Sequence, residues 1–254
     1  MILYPSIHLK DGVVARLTRG DISHAEVLHK YPGERAAQFE AQGFAWLHVV
    51  DLDGAFEGKP TNTETIKAIL KSVKIPVQVS GGLRDLKSIE AYLGDGVSRI
   101  VMSSVALHNP DLVREACKLF PGHIAVKIDS RTGSVLATGW AKTTGMKALD
   151  VALRFEDCGV AAIIYADINR DGALSEVNVE AIIDLAFAIT TPVIASGGVN
   201  TILDLKELKS HAKAGIAGLI LGRALYDGKI LASEALALAA GHEAATIGKR
   251  GTEE

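Results

Sequence analysis

The chain has 254 residues, of which 48% are apolar, so it can bury one large core, and a single α/β barrel of this length is ordinary. Its formal net charge of −3 provides no basic field for nucleic acid or for an anionic membrane. No apolar run approaches the roughly 18 residues of a membrane span, and no charged-then-apolar signal opens the chain. Two distant cysteines, Cys117 and Cys158, predict reduced thiols in a cytoplasmic protein.

Short β-rich runs alternate with helical patterns along the chain. The predicted strands cover residues 3–8, 47–51, 76–80, 99–103, 124–129, 162–167, 192–196 and 218–221. Helical patterns cover residues 62–72, 85–94, 110–120, 148–159, 178–189 and 204–211. Asn109 before Pro110 is a typical helix start, and two extended segments, 13–17 and 135–140, follow the first and fifth strands. Apolar strands between helices predict a parallel sheet covered on its outside.

The sequence also repeats itself at a constant spacing. Recurring pairs that lie 116 positions apart include Phe39 and Phe155, Asn62 and Asn178, and the Ser80-Gly81-Gly82 and Ser196-Gly197-Gly198 motifs. A constant offset indicates two half-chains of one supersecondary plan. We therefore predict a single closed (β/α)8 TIM barrel over residues 1–241, built from two homologous half-barrels and followed by a polar tail at 242–254. An open doubly wound sheet is the alternative, but it does not predict the repeat.

Glycine pairs end the third and seventh predicted strands. Glycine lets backbone N–H groups approach an anion, and a following helix N-terminus adds positive potential. The next strands end in Ser103-Ser104 and Gly222-Arg223, which are placed to complete each clamp. Tight turns also require glycine, so turn geometry alone is the competing interpretation. Two pairs at half-chain spacing favour two opposed phosphate pockets and a small-molecule substrate with a phosphate at each end.

Short motifs spread along residues 1 to about 240 carry a family resemblance. They include Leu9-Lys10-Asp11-Gly12, His48-Val49-Val50-Asp51-Leu52, Asp167-Ile168, Arg170-Asp171-Gly172, Ile194-Ala195-Ser196-Gly197-Gly198 and Gly222-Arg223-Ala224-Leu225. These motifs resemble the ProFAR isomerase family of histidine biosynthesis, the phosphoribosylformimino-5-aminoimidazole carboxamide ribotide isomerases. The resemblance implies an Amadori rearrangement, aminoaldose to aminoketose, of a bisphosphorylated substrate. It also implies a monomeric enzyme that needs neither a metal nor an organic cofactor.

The resemblance assigns roles to several residues of this chain. In the family, aspartates that end the first and fifth strands divide the proton transfers between an acid for ring opening and a base at the neighbouring carbon. Asp129 matches the fifth-strand aspartate, with an ion pair to a nearby Lys or Arg as the alternative interpretation. Asp167 and Asp171 match the sixth strand and its loop, where a satisfied strand end or a simple turn is equally consistent. The positions expected near the substrate are Arg19, His48, Trp140 and Gly172, which otherwise indicate a solvated loop charge, a strand histidine, a loop aromatic and a turn.

Two departures from the family pattern fall where the chemistry is expected. Position 8 carries His8 instead of aspartate, so an imidazole with an unperturbed pKa of about 6.5 is either the base or a polar plug at the barrel mouth. Lys127 replaces a glycine and, by strand alternation, faces the same way as Asp129. We expect a buried ion pair between them, which would hold Asp129 ionised and weaken it as an acid. The sharper alternative is an amine nucleophile that forms a Schiff base with a carbonyl substrate.

Further departures from the family pattern also indicate an altered pocket. Ala166 stands where the family has threonine, and Ser80, Ser103 and Glu176 stand where it has glycine. Three functions remain open: a slow isomerase of this pathway, a different or engineered enzyme that uses Lys127, and a non-catalytic phosphosugar-binding relative. His8, His48, His108 and His123 lack the spacing of metal ligands, so we expect no metal site.

Overall fold

Eight parallel strands close into a barrel in the computed structural model, which describes residues 1–18, 21–131, 133–136, 143–167 and 177–241. The barrel strands are β1 Ile2–Lys10, β4 Leu47–Asp51, β5 Val77–Ser80, β6 Arg99–Met102, β7 Ile124–Arg131, β10 Ala162–Asp167, β11 Val193–Ser196 and β12 Ile216–Leu221. Each pairs in parallel with the next, and β12 pairs with β1 to close the ring. The predicted (β/α)8 barrel is therefore confirmed, and each predicted strand is correct to within two residues at its ends. The predicted tail at 242–254 lies outside the described residues.

Two antiparallel extensions decorate the barrel. Strands β2 Val13–Thr18 and β3 Asp21–His29 form a hairpin on β1, and β8 Ser134–Leu136 and β9 Thr143–Lys147 extend β7. The extended segment predicted at 13–17 is confirmed. The one predicted at 135–140 is confirmed as far as Leu136, beyond which it lies outside the described residues.

Helices cover the outside of the barrel. They are α1 Pro32–Ala41, α2 Leu52–Glu57, α3 Thr63–Ser72, α4 Leu86–Gly94, α5 Ser104–His108, α6 Pro110–Leu119, α7 Ala148–Leu153, α8 Val179–Ala188, α9 Ile202–Ser210, α10 Arg223–Tyr226 and α11 Ala232–Ala240, with a 3-10 turn at Ala212–Ala214. In the described ranges, no helix combines the length and the apolar composition that crossing a membrane requires.

The helix predicted at 148–159 is shorter than expected. Helix α7 ends at Leu153 because the following amides bond three residues back, as Phe155 does to Ala152, and so form tight turns. Cys158 lies in these turns, whereas Cys117 is buried in α6. Both cysteines are free, and burial raises the pKa of Cys117 to about 11, so this thiol is unreactive at neutral pH.

Strand alternation divides the core into two layers. Side chains of the helical layer, such as Phe39 and Phe155, and outward-facing strand side chains, such as Ile163, pack between the strands and the helices. Inward-facing side chains form a separate cluster along the barrel axis: Tyr4, Val101, Ala125, Ala162, Ile164, Ile194 and Ile220. Inward-facing residues nearer the carboxyl ends of the strands lie above this apolar plug. The plug is therefore the floor on which a site at the barrel mouth is built.

The start of α6 provides a test of the local sequence signals. The Asn109 side chain accepts a hydrogen bond from the Leu112 amide at 3.3 Å, and Pro110 fills the first helical position. We expect Asn109→Ala to lower the free energy of unfolding by about 1 kcal/mol, because the amide loses its partner. Urea unfolding measures the change, and Asn109→Asp is the matched control that keeps a capping oxygen. Equal losses in both variants would contradict the capping role.

Candidate active site

A cavity of about 150 Å³ opens at the carboxyl ends of β5, β6 and β7. Six of the predicted site residues line it: Gly81, Gly82, Ser103, Ser104, Lys127 and Asp129. They come from three strand ends that the sequence spreads over more than 40 residues but that the parallel ring brings together. The cavity lies where active sites of (β/α)8 barrels form.

Lys127 and Asp129 form the ion pair that the alternation of β7 predicts. The Lys127 Nζ donates to Asp129 Oδ1 at 2.6 Å, and the two side chains are 18% and 8% exposed. The predicted ion pair is therefore confirmed, with Asp129 buried and Lys127 partly buried. In this ion pair the Lys127 ammonium is bound to a carboxylate, and an ammonium has no lone pair to attack a carbonyl. The contact thus disfavours the Schiff-base alternative.

His8 lies on β1, four strands away from β7 in the ring of eight and so on the opposite wall. Its imidazole is partly buried, and its pKa falls from 6.5 to about 4, first through removal from water and second through the Lys127 charge. At neutral pH the ring is therefore uncharged. An uncharged imidazole can accept a proton, so the position keeps a base, although a weaker one than an unperturbed histidine.

His48 lies one step deeper on β4, where it is 2% exposed. Its Nδ1 meets the Gln78 Nε2 at 3.1 Å. Its pKa lies well below the usual value because of burial, with smaller contributions from His8 and Lys127. The residue is therefore a neutral imidazole beneath the mouth.

The first glycine pair has a steric reason that the sequence did not reveal. Gly81 and Gly82 have φ angles of 104° and 73°. A Cβ at Gly81 would lie 2.1 Å from the Asp51 carbonyl oxygen, and one at Gly82 would lie 2.5 Å from the Lys59 backbone. Turn geometry and close packing thus account for both glycines. Phosphate binding by this loop stays a prediction.

The helix after this loop begins within one residue of its predicted start. Helix α4 begins only at Leu86, and the Asp85 side chain accepts a hydrogen bond from the Ser88 amide at 2.8 Å. The end of α4 is therefore occupied by its own cap, because the chain needs several residues to turn from the barrel mouth to the outer layer. Ser103 and Ser104, at the start of α5, lie on the cavity instead.

The second glycine pair repeats the backbone conformation of the first. Gly197 and Gly198 have φ angles of 78° and 73°, and Gly222 precedes α10, whose first residue is Arg223. None of these four lines the cavity of the first loop, because they end β11 and β12 on another part of the ring. The two glycine loops are therefore separate in the ring, and phosphate binding by the second loop also stays a prediction.

Other predicted residues fall outside the part of the chain that the structure describes. They are Arg19, Trp140, Asp171, Gly172 and Glu176, together with the side chain of Asp167 at the end of β10. Ala166 is buried and is the register partner of Asp129, so the family's threonine hydroxyl would lie beside the ion pair.

Sequence reasoning missed two groups of polar residues around the site. Buried Asp51 accepts hydrogen bonds from the amides of Gly54, Thr61 and Asn62, which fixes the loop that packs on Gly81. Gln78 and Arg99 lie below the cavity on β5 and β6. The available signal was a polar residue at an inward-facing strand position, since Gln78 lies two residues before Ser80.

Comparison with known sequences identifies the family. A sequence model described as histidine biosynthesis protein matches residues 2–231. The chain belongs to this family.

Two relatives in the family share one named activity. The chain is 57% identical over 243 residues to the 1-(5-phosphoribosyl)-5-((5-phosphoribosylamino)methylideneamino) imidazole-4-carboxamide isomerase of Rhodospirillum centenum, and the match covers 96% of this chain and 98% of that protein. It is 58% identical over 238 residues to the isomerase of the same name from Azospirillum brasilense, and that match covers 94% of each. The resemblance of this histidine biosynthesis protein to the ProFAR isomerases is therefore confirmed.

The packing around Gly81 gives a stability prediction with a matched control. Gly96 has the same φ of 104° as Gly81, but a Cβ there would meet nothing within 4 Å. Alanine at either position costs about 1–2 kcal/mol for the left-handed backbone. We expect Gly81→Ala to lose about 1–3 kcal/mol more than Gly96→Ala, because only Gly81 contacts Asp51. Urea unfolding midpoints measure this difference, and equal values would refute the close contact.

The low pKa of His8 predicts a pH dependence. Because the pKa of 6.5 falls to about 4 on folding, the unfolded chain binds this proton first as the pH drops. The His8 contribution to stability is thus complete above pH 6.5 and is lost as the pH falls towards 4. NMR titration of the His8 ring should give a midpoint near 4. We expect Lys127→Met to raise this midpoint while leaving it below 6.5, since burial remains. A wild-type midpoint at 6.5 or above would contradict the assignment.

Proposed function

We propose that the protein is an isomerase of histidine biosynthesis that converts an aminoaldose into an aminoketose by an Amadori rearrangement. The observation that carries the proposal is the placement of Asp129 in the mouth cavity, at the end of the same strand as the family's catalytic aspartate. The names of relatives that align with 94–96% of the chain support it. The substrate named there carries two phosphoribosyl groups, so we infer a bisphosphorylated substrate.

The two glycine loops are the proposed sites for the phosphates. Backbone N–H groups at Gly81 and Gly82, with the hydroxyls of Ser103 and Ser104, would bind one phosphate. Gly197, Gly198, Gly222 and Arg223 would bind the other. The matching left-handed conformations of the two glycine pairs support this assignment.

The proton transfers are assigned to the two facing walls. An acid gives a proton to the ribose ring oxygen, the carbon–oxygen bond breaks, and the open chain carries a protonated imine. A base then takes the proton from the adjacent carbon, which produces an enol that becomes the ketone. We assign the role of the acid to the hydrogen-bonded pair of Asp129 and Lys127, and the role of the base to the neutral His8.

This arrangement predicts slow turnover. Lys127 engages the Asp129 carboxylate in an ion pair, which makes Asp129 less available as a proton donor, and His8 is a weak base at a pKa of about 4. The same ion pair favours the second candidate, a phosphosugar-binding relative without turnover. In either case we place the protein in the cytoplasm as a monomer, and the two free thiols support that compartment.

Reversion to the family residues tests the proposal. We expect the wild type to complement a histidine auxotroph lacking the isomerase, and purified His8→Asp to raise kcat by about 10²-fold or more, because a correctly placed base is regained. The double variant His8→Asp with Lys127→Gly should be faster still.

The matched control is His123→Asp, the same exchange outside the proposed site. It should leave kcat unchanged. Failure of both the wild type and the double variant to complement at high expression would rule out the isomerase. Phosphosugar binding by a wild type that does not turn over would favour the second candidate.

A further inference from the structure

Three polar side chains form a chain along the inner wall below the cavity. His48, Gln78 and Arg99 lie on adjacent strands β4, β5 and β6, and the sheet register pairs His48 with Gln78 and Gln78 with Arg99. The next inward-facing residues of β4 and β5, Val50 and Ser80, line the cavity. These three hydrogen-bonded side chains therefore lie directly beneath the proposed substrate site.

The hydrogen bonds of this chain have a fixed direction. Arg99 Nη1 donates to Gln78 Oε1 at 3.2 Å, and a guanidinium cannot accept, so the Gln78 amide group is oriented by Arg99. The Gln78 Nε2 then donates to His48 Nδ1 at 3.1 Å. Because Nδ1 accepts, the hydrogen of the neutral His48 ring is on Nε2.

Trp46 holds the Arg99 end of this hydrogen-bonded row in place. The Arg99 guanidinium carbon lies 4.6 Å from the centre of the Trp46 ring, which favours a cation over the aromatic face. At the near end, burial and the neighbouring His8 and Lys127 lower the pKa of His48 and keep it uncharged. The result is a neutral imidazole with one defined N–H donor, on the ring edge that Gln78 does not occupy.

The second half of the barrel shows that the fold does not need these polar groups. There, Ile164 pairs with Ile194, and Ile194 pairs with Gly218, at the positions that match His48, Gln78 and Arg99. The space beside Gly218 is filled by the Tyr4 ring, 2.7 Å from where a Cβ would lie. Since burying polar groups costs free energy that isoleucine would not, the first half keeps them for another reason.

We propose that Gln78 and Arg99 are positioning residues that hold His48 as a neutral Nε2–H donor to the sugar oxygen on the reacting carbon. The inference rests on the proposed function for its substrate, but the state of the His48 ring is measurable without it. A fixed neutral donor stabilises the negative charge that builds up on this oxygen when the enol loses its hydroxyl proton and becomes the ketone. The proposal assigns the substrate contact to His48, and Gln78 and Arg99 act through it.

The exchange of Gln78 for glutamate tests the direction of the chain. The carboxylate that Gln78→Glu introduces can only accept a hydrogen bond. It would therefore favour the His48 tautomer that carries its hydrogen on Nδ1. We expect nitrogen NMR of protein labelled in its histidines to show a hydrogen on Nε2 in the wild type and on Nδ1 in Gln78→Glu. His48→Gln identifies the signal. In the isomerase assay, kcat should fall about tenfold or more while KM changes little.

Two further variants keep the test decisive. Ile194→Leu changes the matching position of the other half and should alter neither the His48 nitrogen signals nor kcat. Arg99→Met frees the Gln78 amide to turn, so a mixture of both ring forms is expected even if Gln78→Glu fails to fold.

The outcomes separate this inference from the proposed function. The inference would be overturned if His48 of the wild type carries its hydrogen on Nδ1. It would also be overturned if Gln78→Glu moves the hydrogen to Nδ1 without loss of kcat. If the wild type has the hydrogen on Nε2, but neither it nor the double variant His8→Asp with Lys127→Gly has isomerase activity, the proposed function is overturned and, with it, the donor role. The orientation of His48 by Gln78 and Arg99 would still be supported.

Discussion

Strand alternation in a closed ring decides which side chains of this protein can meet. Each barrel strand sends every second residue towards the axis, and the apolar plug around Ile164 and Val101 fills the middle. Inward positions towards the carboxyl ends then face one another across a small cavity. Lys127 and Asp129 share a wall for this reason, and His8 faces them because β1 lies opposite β7. The site is a consequence of the period of the strand and the closure of the sheet.

The charges at the mouth differ from those of the family pattern. In that pattern, aspartates at positions 8 and 129 give the mouth two carboxylates, which can share one proton between acid and base. This chain instead places one ammonium, one carboxylate and an uncharged imidazole there. Together these three groups carry no net charge, so they repel an anion less than two aspartates would. The mouth is less suited to proton transfer, because the Asp129 carboxylate is paired with Lys127 and burial lowers the pKa of His8.

Much of the fold could be predicted from the sequence, because helix and strand periods and the 116-residue repeat are local or arithmetic signals. The Lys127–Asp129 pair was also predictable, since alternation alone puts residues two apart on one face. The reason for Gly81 was not, because its neighbour Asp51 comes from the preceding strand and meets it only through tertiary packing. The premature end of α7 was missed for a similar reason: helical composition continued while the backbone tightened. Gln78 was overlooked because one polar residue in an apolar strand has no local partner to announce it.

The contrast between the polar inner wall of the first half and the apolar wall of the second bears on how such a barrel can be recombined. His48, Gln78, Arg99 and Trp46 all precede β7, whereas Lys127 and Asp129 both lie on it. A chimera of two relatives spliced between Met102 and Ile124 would inherit each network intact. The electrostatic effect of Lys127 on His8 and His48 crosses this junction, so the basicity of these two imidazoles is the property that such a hybrid would change.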